Sequence, residues 1–140
     1  MPLSKIDVTV GQTFELVLVE DLKRTQLVQY AGASGDYNPL HTDEVFATEV
    51  GGYPTVFAHG MLTMGMTGRL LTDTFGHGRL LRFGGRFTAQ VWPGDTLRAV
   101  ATVSSIDTED GEPVANLAVS TRNQDGVEVF AGTATGRLDV

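Results

Sequence analysis

The chain has 140 residues, a mass of 15.0 kDa, 17 acidic against 10 basic residues, and no cysteine. That length suits one domain over residues 1–140 with one hydrophobic core, and the missing cysteine excludes disulfide staples, thiol nucleophiles and cysteine zinc sites. A net charge of −7 argues against a nucleic-acid or anionic-membrane surface, and 41% apolar with 19% charged residues argues against disorder.

Met1 to Gln12 mixes Lys5 and Asp7 into a short apolar stretch without a continuous hydrophobic run, so no secretory signal is expected and the cytoplasm is the expected compartment. Thr13–Val19 alternates as a strand, with Phe14, Leu16 and Leu18 on one face. Over Arg24–Ser34 the period lengthens through Leu27, Tyr30, Ala31 and Ser34, which predicts a helix stopped by Gly35. Asn38-Pro39 is a turn signal. Thr42 is the expected cap of a short helix to Val50, closed by Gly51-Gly52. Val50–Gly68 carries no formal charge, but its glycines, Pro54 and His59 argue against a membrane span.

Gly60–Phe75 is the longest predicted helix, with Gly76 as its stop. Met61, Leu62, Met64, Met66, Leu70 and Leu71 cover most of its circumference, which predicts burial on all sides, and Gly65 and Gly68 suggest close backbone neighbours. From Arg79 the period becomes two. Phe83, Phe87, Ala89 and Val91 form one alternating set, Leu97 to Val103 a second, Ala115 to Val119 a third, and Val127, Val129 and Ala131 a fourth. Gly84-Gly85 suggests a bulge, and Asp110-Gly111 and Asp125-Gly126 are hairpin signals. A strand, a buried helix and a four-strand meander give an α+β fold: a curled antiparallel sheet wrapped around a central helix in the hot-dog style.

Neither a phosphate loop, a dinucleotide fingerprint, a G-x-S-x-G elbow nor an H-E-x-x-H helix occurs, and His41, His59 and His77 lack metal-ligand spacing, so no metal and no cofactor are expected. Two stretches could carry chemistry. Asp36 and His41 flank the Asn38-Pro39 turn, which lets both side chains face one pocket, where they could hold a water and move its protons. The spacing equally fits Asp36 as a turn cap and His41 as a surface residue. Gly60 opens the long helix, where a free N–H and the helix dipole could stabilise an oxyanion; a packing role for Gly60 fits the sequence as well. Arg69, Arg79, Arg82, Arg86 and Arg98 face only Asp73 and Asp95 within their own stretch. Arginines so placed fit either a phosphate-bearing ligand or a solvated strand face.

Tyr30–His41, reading YAGASGDYNPLH, followed by Ala58–Gly65, reading AHGMLTMG, resembles the hydratase 2 signature of MaoC-like dehydratases, (R)-specific enoyl-thioester hydratases of hot-dog fold. The catalytic β subunits of mycobacterial-type (3R)-hydroxyacyl-acyl-carrier-protein dehydratases are similar. The resemblance implies that Asp36 and His41 form the catalytic dyad and that Gly60 N–H binds the thioester carbonyl. It places Asn38, His59, Met61 and Thr63 at the substrate, His59 in a supporting role. It also implies an acyl-CoA or acyl-carrier-protein thioester as the bound partner. Some of Met61, Leu62, Met64 and Met66 would wall the acyl chain. A homodimer, or a heterodimer with another hot-dog subunit, would join sheets edge to edge, with 83–91 and 116–119 as charge-poor candidates for the edge. Two other readings are a thioester hydrolase, which does not call for the dyad, and a non-catalytic acyl-binding subunit, which would not need it.

Overall fold

The computed structural model describes residues 7–139. In chain order it contains β1 (Thr13–Val19), α1 (Arg24–Ser34), a 3-10 turn (Pro39–His41), a π-helical turn (Phe46–Val50), α2 (Gly60–Phe75), β2 (Leu80–Phe87), β3 (Leu97–Glu109), β4 (Glu112–Arg122) and β5 (Glu128–Arg137). Both α-helices take their expected bounds, because each is closed by a glycine: Gly35 and Gly76 donate their N–H groups to Ala31 and Thr72. The helix near Val50 is capped by Asp43, whose carboxylate accepts Phe46 N–H at 3.2 Å, and not by Thr42. No helix is long and apolar enough to cross a membrane among the described residues.

All five strands are antiparallel in the order β1-β3-β4-β5-β2. β3, β4 and β5 form the expected meander. The β3–β4 hairpin turns on Asp110 and Gly111, both at positive φ, as a two-residue turn requires. β2 departs from the expectation. It crosses to the far edge and pairs with β5, so β1 and β2 are the sheet edges and residues 116–119 lie in its interior. Glycines permit that crossing: a Cβ on Gly132 would overlap the carbonyl oxygen of Gly84. Gly84-Gly85 keeps regular register, and the irregularity falls between Leu80 and Arg82. In β5 the inward set is Phe130, Gly132, Ala134 and Gly136. Phe130 and Ala134 are buried, a Cβ on Gly136 would strike the Phe75 ring, and Val127 lies outside the strand, exposed.

The sheet curls around the C-terminal half of α2. Leu70, Leu71 and Phe75 pack on Ala99, Ala101, Val103, Ala115, Leu117 and Ala134; small side chains on the inner face admit the helix closely. Thr67 Oγ1 ties helix to sheet, donating to Thr63 carbonyl at 2.9 Å and pairing with Thr121 Oγ1 at 2.7 Å. The N-terminal half of α2 emerges under a second cluster of Leu22, Leu27, Ala47, Val56, Ala58 and Val91. Burial is therefore one-sided: Met61 and Gly65 are exposed, and no neighbour approaches Gly65 within 4 Å. Leu62 and Met66 are partly buried and pack against the second cluster.

Candidate active site

Local stops bring the chain to the site. Gly35, at φ 75°, ends α1 in the left-handed conformation that glycine adopts freely. Asp36 follows, and its Oδ1 accepts Asn38 N–H at 3.2 Å. Asn38 accepts Leu40 N–H at 3.0 Å, capping the 3-10 turn, and Pro39 presets its first φ. The turn folds His41 back toward residues 57–59. Asp36, His41 and His59 then present ligand-type atoms within 4.8 Å of one another.

Main-chain carbonyls fix both imidazoles. The Phe57 carbonyl lies 2.7 Å from His41 Nδ1. A carbonyl only accepts, so Nδ1 carries the proton and Nε2 keeps its lone pair. The Asp36 carbonyl lies 3.0 Å from His59 Nε2, which must donate, leaving Nδ1 buried without a partner. The rings stack with centroids 3.8 Å apart at 25°, and Tyr30 meets His59 edge-on at 4.8 Å. Burial pushes the pKa of His41 below the ordinary histidine value; the hydrogen bond to Phe57 opposes this, the neighbouring His59 adds to it, and Asp36 opposes it. Of the four imidazole nitrogens, two are thus committed to carbonyls and a third, His59 Nδ1, is buried, so the stacked pair does not offer two converging nitrogens to a cation.

Beside the trio, His59 precedes α2 and Gly60 begins it. The N–H of Gly60 has no acceptor among the described residues. A cleft of about 370 Å³ is lined there by Tyr30, Ser34, Asp36, His59, Gly60 and Met61, with Phe87 across the mouth of the helix. The arrangement pairs a carboxylate with a neutral imidazole whose free nitrogen accepts a proton, next to a free helix N–H. Such a set can orient water, take its proton and stabilise a developing oxyanion.

Not every expected residue lines the cleft: His41 is set beside it, stacked on His59. Asn38 is exposed, and its side-chain oxygen is spent on the cap. Thr63 is buried on the wall of a neighbouring cavity, its hydroxyl unpartnered. His59 lies only 2% exposed and contacts both dyad residues. Four of the five arginines pair with acids: Arg69 with Asp73, Arg79 with Asp139, Arg82 with Glu109 and Arg98 with Glu15. Among the described residues Arg86 has no such partner. Sequence reasoning missed Tyr30 and Ser34, which the helical period of α1 hinted at, and the Phe57 carbonyl, which no side-chain pattern signals. It also missed the ring of Phe87 over Gly60: a Cβ on Gly60 would meet that ring at 2.8 Å.

The profile of the MaoC like domain matches residues 5–125. Over 98 residues the chain is 40% identical to 3-hydroxyacyl-thioester dehydratase Y of Mycobacterium tuberculosis, a match covering 68% of this chain and 32% of that protein. The chain spans about a third or less of the length of the first curated relatives it matches. An (R)-hydratase from A. caviae involved in PHA biosynthesis superposes with a TM-score of 0.81 at 26% identity, covering 94% of this chain and 97% of that one. For an R-hydratase from Pseudomonas aeruginosa the TM-score is 0.84 at 26% identity, with coverage of 99% and 88%.

Proposed function

This chain belongs to the MaoC-like domain family, and from that premise we propose that it interconverts trans-2-enoyl thioesters and (3R)-hydroxyacyl thioesters by adding or removing water. The observation that carries the proposal is the meeting of Asp36 with a His41 whose free nitrogen is Nε2, beside the unpaired N–H of Gly60. Water held between Asp36 and His41 attacks C3, one of the pair takes its proton, and a proton returns to C2. Charge pushed onto the thioester oxygen meets Gly60 N–H and the positive end of α2. Loss of one such donor typically costs about 3–4 kcal/mol. The reading takes an acyl-CoA or acyl-carrier-protein thioester as substrate and needs no cofactor. It includes a dimer, with itself or with a similar subunit, through the exposed edge β2.

Purified protein supplied with crotonyl-CoA should consume the enoyl chromophore and form 3-hydroxybutyryl-CoA of R configuration, read with a stereospecific dehydrogenase. Release of free CoA thiol in step with enoyl loss would establish a thioester hydrolase instead. An S product, or no conversion by a folded chain, would refute the proposal.

A further inference from the structure

We propose that Phe87 is a specificity-determining residue whose ring divides the Asp36 cleft from a second cavity and so limits how far an acyl group extends beyond the reacting carbons. The inference rests on the acyl-thioester reading above. The second cavity, of about 280 Å³, lies under residues 88–91 and is lined by Phe57, Thr63, Gln90, Val91 and Val129. The cleft and this cavity share two lining residues, Gly60 and Phe87. The ring lies so close to the glycine that a Cβ there would stand 2.8 Å from it, so glycine and ring together form the partition.

Two further observations make the partition movable and the space behind it usable. Phe87 is the last residue of the edge strand β2 and is 46% exposed; one aromatic neighbour, the buried Phe130 at 5.7 Å, supports its ring. A phenylalanine held on one side can change rotamer without displacing packed core. Behind it, the buried Thr63 lines the second cavity together with Val91 and Val129. An engineered cavity of about 150 Å³ admits benzene, so the space behind Phe87 holds a medium-length acyl segment. With the ring as observed, short acyl groups fit the cleft. Longer ones require the ring to turn away from Gly60, and their extra carbons then enter the second cavity.

The test compares wild type with Phe87→Ala, Phe87→Leu and Phe87→Trp, each shown folded by circular dichroism. Hydration is measured on crotonyl-, octenoyl- and decenoyl-CoA. Binding of the unreactive butyryl- and octanoyl-CoA is measured by calorimetry. Phe87→Ala should raise kcat/KM for decenoyl-CoA relative to crotonyl-CoA by about tenfold or more, the scale of one methylene in an apolar pocket. Phe87→Leu should shift it less, and Phe87→Trp should keep the wild-type preference. The octanoyl to butyryl affinity ratio should move the same way. An unchanged ratio in both Phe87→Ala and Phe87→Leu overturns the partition even if hydration is robust. A shifted affinity ratio in a protein that hydrates no enoyl thioester supports the partition and refutes the hydratase reading. If no form binds or converts any of these thioesters, both fall.

Discussion

Replacing Asp36 by Asn and His41 by Ala removes chemistry from the same dyad, and the structure separates the two costs. Asp36 is exposed; its side chain accepts Asn38 N–H, and its main chain accepts from His59. An asparagine oxygen keeps the first bond, and the second does not involve the side chain. Stability should therefore change by no more than about 0.5 kcal/mol, as for an ordinary surface substitution. His41 is half-buried, and its ring supplies the proton to the Phe57 carbonyl at 2.7 Å. Alanine leaves that carbonyl without its donor and His59 without its stacked neighbour, at a cost of about 1–3 kcal/mol. Turnover should fall at least about a hundredfold in both variants, because positioned acid–base catalysis contributes roughly 10²–10⁴-fold, or about 2.7–5.5 kcal/mol of barrier at 1.36 kcal/mol per tenfold. Loss of enoyl-thioester absorbance reports turnover, and urea unfolding followed by circular dichroism reports stability. Near wild-type turnover by folded Asp36→Asn would refute the dyad. A His41→Ala protein as stable as Asp36→Asn would refute the structural role of the bond to Phe57.

His41 also sets a pH dependence. Its folded pKa lies below the ordinary 6.5, chiefly through burial, so its contribution to stability is present above 6.5 and is lost as pH falls through the lowered value. Urea midpoints on either side of 6.5 should show this slope in wild type and a flatter one in His41→Ala, and an acid limb of kcat/KM lying above 6.5 would contradict it. In Gly60→Val the new side chain meets the Phe87 ring, so the strain does not come from the thioester alone. Turnover should drop, with a stability loss of about 1–3 kcal/mol that shrinks in a Phe87→Ala background; an unchanged loss there would show that the ring is not the obstacle. Gly132→Ala should destabilise by a similar amount because its Cβ overlaps the Gly84 carbonyl oxygen, and an unshifted melting curve would refute the close β2–β5 approach. Light scattering should find a stable dimer with no active monomer, the exposed edge β2 being its seam; a monodisperse monomer with full specific activity would disprove that.

Elements governed by local chemistry were legible in the sequence. Gly35 and Gly76 end α1 and α2 where a helical period meets a residue free to leave it, and Asp110-Gly111 turns β3 into β4 because both residues tolerate positive φ. Asp36 and His41 were legible as a pair because the Asn38-Pro39 turn between them is itself local. Features that depend on distant partners were not. Alternation identifies β2 as a strand without saying that it pairs with β5; scarcity of charge marked it rightly as an edge, but the same feature misplaced 116–119, which lies in the interior strand β4. Apolar content around α2 suggested burial on every side. The second cluster covers Leu62 and Met66 and leaves Met61 open, a distinction of orientation that hydrophobicity cannot make. Phe87 read as one more member of an alternating set; its position against Gly60, at the last residue of β2, is a contact across the fold that alternation does not encode.

Most of the orientation in the site comes from four consecutive residues of the main chain. The Phe57 carbonyl assigns the tautomer of His41, His59 ties the backbone of Asp36 while stacking on His41, and Gly60 opens α2 with a free N–H. Ala58, between them, is clamped: its N–H donates to the Val91 carbonyl at 2.8 Å, and Phe57 N–H donates to the Leu40 carbonyl at 3.3 Å. Residues 57–60 are thus held between the turn that carries the dyad and the loop that follows β2. A displacement of this segment would move the proton acceptor, the carboxylate's backbone and the oxyanion donor together. That explains why a histidine occupies position 59 at 2% exposure, where an apolar residue would pack more cheaply. A leucine there would fill the space but leave the Asp36 carbonyl unbound, and the carboxylate would lose its fixed approach to His41.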